Sequence, residues 1–165
     1  MTMDRRALLS TAMALGAAAF AASACKGQAA SSAVAQAATF KLSDAEWRKR
    51  LSPAAYNVLR QAGTERAGSS PLDAEGRKGT YACAGCDLPL FKSSTKFHSG
   101  TGWPSFWAPM PNAVVVSNDS TLGMDRTAVS CRQCAGHLGH VFDDGPPPTG
   151  KRYCMNGVAL QFHAA

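Results

Sequence analysis

Residues 131–156 read CRQCAGHLGHVFDDGPPPTGKRYCMN, a Cys-x-x-Cys pair, two histidines and a single cysteine in one run. Cys131 and Cys134 form one knuckle, and Cys83-Ala84-Gly85-Cys86 forms another upstream. The chain thus offers four thiolates in the pairing that tetrahedral Zn²⁺ prefers. A compact zinc ribbon separates its knuckles by about 15 to 20 residues, whereas 44 residues, Asp87 to Ser130, intervene here. The metal is expected to clip two distant segments of one domain. Four cysteines close the coordination shell and leave no open position for water or substrate, so the zinc reads as structural. Two disulfides or two redox dithiols are the competing use of the same residues.

Of six cysteines, Cys25 and Cys154 remain. The alternation in Lys151 to Phe162 predicts a strand with Arg152, Cys154 and Asn156 on one face, because side chains repeat every two residues. A guanidinium beside a thiol favours the thiolate, the form that attacks; a buried, inert cysteine is the alternative. His137 and His140, three apart, would leave a regular strand on opposite faces. Gly136 and Gly139 flank and split the pair, and glycine is what a bulge uses to re-aim side chains. Both imidazoles are then expected to face one pocket, suited to protonating an oxygen near neutral pH; hydrogen-bonded packing is the bland reading.

These residues resemble the methionine-R-sulfoxide reductases of the MsrB type. The resemblance runs from Leu51 to Phe162. It takes in Leu51-Ser52-Pro53, Val58-Leu59-Arg60, Gly63-Thr64-Glu65-Arg66 and the knuckle Tyr81 to Cys86. It continues through Gly100-Thr101-Gly102-Trp103-Pro104-Ser105-Phe106, His137 to Pro146 and Arg152 to Asn156. It implies two small antiparallel sheets with short helices outside. It implies Cys154 as nucleophile, His137 and His140 around the sulfoxide oxygen, Asn156 and Arg152 in support, and Trp103 as a wall for the methyl group. Trp103 as ordinary core packing is the alternative. The implied reaction is repair of methionine sulfoxide in oxidised proteins through a Cys154 sulfenic acid, with thioredoxin or another thiol as reductant. Many members carry a resolving cysteine where this chain has Thr101. Its absence leaves either an external thiol or Cys25 to reduce the sulfenic acid.

Around this core the chain divides into three. Residues 1–25 carry Arg5-Arg6, an Ala- and Leu-rich run and Ala22-Ser23-Ala24, the pattern of an export signal of the twin-arginine type. Ala22-Ser23-Ala24-Cys25 also resembles a lipobox, which makes Cys25 a candidate for a lipid anchor. The expected location is periplasm or cell envelope. Residues 26–39, small and polar, read as a flexible tether. Residues 40–165 read as one domain, expected to act as a monomer. Ser43-Asp44-Ala45-Glu46 is a capping box opening one helix. Ser52-Pro53 opens a second, with Ala55, Val58, Leu59 and Ala62 on one face and Gly63 after its end. The short apolar runs Pro89-Leu90-Phe91, Val114-Val115-Val116, Thr127-Ala128-Val129 and Val158-Ala159-Leu160 are set between turn residues, as in an antiparallel, mainly β protein.

Beyond Cys25 there are 15 Lys and Arg against 10 Asp and Glu, a mild excess without a basic stripe, so no nucleic acid partner is indicated. Two other classes fit parts of the pattern. A zinc-stabilised binding module would use the knuckles but leave both histidines and Arg152 without a task. A thiol peroxidase would also pass through a sulfenic acid.

Overall fold

The computed structural model describes residues 38–165, so the export signal, Cys25 and most of the tether lie outside the described residues. Helix α1, Asp44–Arg50, opens on the expected capping box, in which Ser43 Oγ accepts from the Glu46 N–H and Glu46 accepts from the Ser43 N–H. Helix α2, Pro53–Gln61, is capped by Ser52 and buries Ala55, Tyr56, Val58 and Leu59. Ala62 departs from the expected face. It ends the helix in a left-handed conformation and is exposed, and Tyr56 is buried with the others instead.

Nine strands follow: β1 (Gly79–Cys83), β2 (Pro89–Lys92), β3 (Lys96–Phe97), β4 (Ser105–Phe106), β5 (Val114–Asp119), β6 (Arg126–Cys131), β7 (His137–Phe142), β8 (Arg152–Met155) and β9 (Leu160–Ala164). They form two antiparallel sheets, one ordered β2-β1-β9 and the other β3-β4-β8-β7-β6-β5. The mainly β architecture with two short helices is the one expected. Aromatic rings join the sheets: Phe106 of β4 stacks on Phe91 of β2 at 4.3 Å and meets Tyr81 of β1 edge-on at 4.9 Å, all three fully buried. Each such ring contributes roughly 1.5–3 kcal/mol by burial.

The stretch 151–162 is not one strand. β8 ends at Met155, residues Gly157–Ala159 turn as a 3-10 helix, and β9 then joins the other sheet. The Glu65 carboxylate accepts from the N–H groups of Gly157 and Val158 at 2.5 and 3.1 Å. Those two donors are satisfied outside any ladder, so pairing stops there and the chain crosses between sheets.

Candidate functional site

β8 lies between β4 and β7, and its Cys154 stands opposite Ser105 on one side and His140 on the other. Residues directly opposite in antiparallel strands share a face, so the thiol and the imidazole are neighbours. β7 approaches β8 too closely for any side chain at Gly139, where an added Cβ would stand 2.1 Å from the Cys154 carbonyl oxygen. The expected bulge is present. His137 and Gly139 pair with the consecutive residues Ser130 and Val129, which leaves Leu138 as the extra residue, fully buried. His137 and His140 therefore turn to the same side, with ring centroids 5.2 Å apart.

The two histidines differ in their surroundings. His140 donates from Nε2 to Asp119 at 2.8 Å, and the same carboxylate oxygen accepts from Arg126 Nη2 at 2.9 Å. Thr121 donates to Asp119 from its backbone N–H and hydroxyl at 3.0 and 2.7 Å, and with His140 these bonds hold the carboxyl well below the usual carboxylate range. His137 is buried, and its Nε2 has no hydrogen-bond partner among the described residues. Burial first, then the neighbouring His140, push its pKa down to about 4, so it is neutral near pH 7.

A cavity of about 140 Å³ opens over Cys154, bordered by Trp103, Phe142, His140, Asn156, Thr64 and Arg126 among others. Trp103 donates from Nε1 to the Glu65 carbonyl at 3.3 Å. Asn156 is buried and spends both ends of its amide on backbone, Nδ2 donating to the Leu138 carbonyl at 3.0 Å and Oδ1 accepting from the Glu65 N–H at 2.9 Å. It thereby ties the bulge to Glu65, whose carbonyl anchors the Trp103 indole. Arg152 does not border the cavity. Two hydrogen bonds of 2.8 Å fix its guanidinium to Asp144, and it lies over the Phe142 ring at 4.4 Å.

Thus Cys154, His140, Trp103 and Asn156 share one cavity, while His137 and Arg152 stand behind it. Sequence reading missed Asp119 and Arg126 entirely, and it quoted Phe142 within a motif without giving it a task. It quoted Glu65 within a motif but gave it no task, although this residue touches Trp103, Asn156 and the turn after β8.

The four remaining described cysteines gather at the far ends of two strands, Cys83 closing β1 and Cys131 closing β6. The two knuckles have the same backbone. In each, the residue after the second cysteine, Asp87 or Ala135, has positive φ and donates its N–H to the carbonyl of the first, at 2.8 and 2.9 Å. The first cysteine donates to the residue beyond, Leu88 or Gly136, at 2.9 and 2.8 Å. Cys83 Sγ lies 3.7 Å from Cys134 Sγ and Cys86 Sγ 3.5 Å from Cys131 Sγ, with all four atoms within 4.8 Å of one another. A disulfide needs about 2.05 Å. The edges of a sulfur tetrahedron around an ion bound at about 2.3 Å are close to the distances found. The cluster can hold a metal ion and would then join the two sheets. Arg50 and Arg60 donate to the knuckle carbonyls of Gly85 and Cys134, bringing both helices against it.

A small two-sheet β protein, with one thiol in a cavity against an imidazole and a buried four-cysteine cluster, is the class defined here. Residues 51–164 match the SelR domain, and the chain belongs to that family. It is 55% identical over 121 residues to peptide methionine sulfoxide reductase MsrB of Agrobacterium fabrum, covering 73% of this chain and 90% of that protein. Proteins of the same name from Pseudomonas putida and Leptospira interrogans are 57% identical over 118 residues and 53% over 121. They cover 71% and 73% of this chain and 89% and 92% of their own lengths.

Proposed function

We infer that this chain reduces methionine-R-sulfoxide in proteins to methionine, with Cys154 as nucleophile. The observation that carries this is Cys154 in a cavity against His140 and Trp103, in a chain of the SelR family. The thiolate attacks the sulfoxide sulfur while a proton passes to the sulfoxide oxygen. The protonated oxygen then transfers to the Cys154 sulfur as the S–O bond and the transient S–S bond to the methionine sulfur break, so methionine leaves and Cys154 carries a sulfenic acid. His140 Nε2 is committed to Asp119, so Nδ1 is the ring nitrogen left to serve the oxygen. Trp103 and Phe142 receive the methyl group. Asn156 and His137 hold the bulge in shape, and Arg152 is fixed behind the cavity by Asp144.

Recycling needs two electrons from outside. One thiol displaces water from the sulfenic acid, and a second releases the mixed disulfide. Cys83, Cys86, Cys131 and Cys134 would hold zinc, which supplies folding free energy and takes no part in the reaction. Arg5-Arg6 and Ala22-Ser23-Ala24-Cys25 support export to the periplasm or envelope, with Cys25 a site for lipid. The domain acts as a monomer.

The test is Cys154→Ser. Reduction of a peptide methionine-R-sulfoxide should vanish while far-ultraviolet circular dichroism and metal content persist. Measurable turnover in that variant would refute the assignment. Peroxide consumed in preference to the sulfoxide by the unaltered chain would make it a peroxidase instead.

A further inference from the structure

One row of paired residues crosses the large sheet: Ser105 on β4, Cys154 on β8, His140 on β7, Ala128 on β6 and Ser117 on β5. A second row runs from His137 through Ser130 to Val115. Between the histidines and the free edge of the sheet, where β5 is outermost, Ser117, Ala128 and Ser130 are all small. They floor a trough of about 520 Å³, with Gln61 at the end of α2 among its borders. The trough shares Thr64, Arg126 and His140 with the cavity over Cys154. At about 140 Å³ that cavity is well below the roughly 300–1,000 Å³ of pockets that enclose a drug-sized ligand. It has room for one side chain and none for a main chain.

Two buried side-chain atoms among the described residues lack hydrogen-bond partners, Arg126 Nε and His137 Nε2. Both belong to residues that border the trough, and His137 is only 9% exposed. Both atoms are closed off from the trough itself, but Ser117, Asn118, Thr121 and Ser130 border it, and their hydroxyl and amide groups can pair with carbonyl and N–H groups of a ligand. A polypeptide main chain provides carbonyl oxygens at regular spacing, with N–H groups between them. We propose that this trough binds the extended main chain of the substrate protein on one side of the oxidised methionine. The proposal rests on the reductase reading and adds to it the path of the polypeptide.

Ser117→Phe and Ser130→Phe fill the trough with residues that strands accommodate. Two substrates are compared, free methionine-R-sulfoxide and a peptide carrying it with residues on both sides. The ratio of kcat/KM for peptide over free amino acid should fall about tenfold in each variant, the worth of one or two main-chain hydrogen bonds. An unchanged ratio, including an equal loss on both substrates, would overturn the proposal. Binding to Cys154→Ser protein, followed by amide chemical shifts, tests the path without those variants. The peptide should move the signals of Ser117, Ala128 and Ser130, and the free amino acid should not. Changes confined to Thr64, Trp103 and Phe142, or changes that track protein concentration as a second copy would cause, would also overturn it. If the unaltered chain reduces neither substrate, the reductase reading itself fails, a result distinct from any change in ratio.

Discussion

Thr101 holds its hydroxyl oxygen 3.8 Å from the Cys154 sulfur, where a resolving thiol would have to stand. Ser99 fixes that hydroxyl at 2.8 Å and is itself 2.8 Å from the Ser105 hydroxyl, so the oxygen is held beside the thiol by neighbours on both sides of the loop. An oxygen there cannot form a disulfide, and the four other described cysteines are buried together in the four-cysteine cluster.

Thr101→Cys should therefore give the sulfenic acid an internal partner. One turnover without reductant should leave two fewer free thiols and an intramolecular disulfide by mass spectrometry, and thioredoxin-driven turnover should rise. In the unaltered chain small dithiols should support turnover, and thioredoxin should work less well than it does on Thr101→Cys. A Cys25 to Cys154 disulfide in the full-length chain, with activity lost when residues 1–39 are removed, would show that the tether already provides the resolving thiol.

Replacing any one of Cys83, Cys86, Cys131 or Cys134 by serine should release the metal. Binding at such sites is worth on the order of 10 kcal/mol, comparable with the whole stability of a domain, about 5–15 kcal/mol. Because Cys83 ends a strand of one sheet and Cys131 a strand of the other, the loss should separate the sheets rather than loosen one loop. Thermal melting and metal analysis check this; a variant without metal that melts at the original temperature would defeat it.

What could be read from the sequence was what is local. The capping box at Ser43, the Ser52-Pro53 start, the two knuckles and the glycines around His137 and His140 each act within a few residues, and each appears as expected. The break after Met155 was hidden because the carboxylate that causes it belongs to Glu65, 92 positions earlier than Gly157. Asp119 gave no signal for a similar reason. It sits in a polar stretch of ordinary composition, and only the pairing of β5, β6 and β7 brings it to His140.

Asp119→Ala should leave His140 Nε2 without its acceptor and free the ring to rotate. The expected cost is about tenfold to a hundredfold in kcat, a part of the roughly 10²–10⁴ that a positioned acid contributes, with little change in KM. Asp119→Asn keeps an acceptor oxygen without the charge and should recover some of the loss. Steady-state kinetics of the three proteins decide it; equal kcat values would remove Asp119 from any part in orienting the imidazole.

His137 makes stability depend on pH in a defined window. Its folded pKa of about 4 lies below the ordinary value of 6.5 because burial penalises the charged ring. Between those values the unfolded chain binds the proton and the folded chain does not, so stability falls as pH drops from 6.5 to 4 and levels off below. The full effect is at most about 3 kcal/mol. His137→Phe keeps an aromatic ring at the site and cannot take the proton, so its stability should lose less on acidification through that window. Other acid-sensitive groups, the metal thiolates included, act on both proteins alike and cancel in the comparison. Denaturant unfolding of the two proteins at pH 7 and at pH 4.5 reads the difference. Parallel losses would mean that His137 is charged in the folded state and that its Nε2 has a partner.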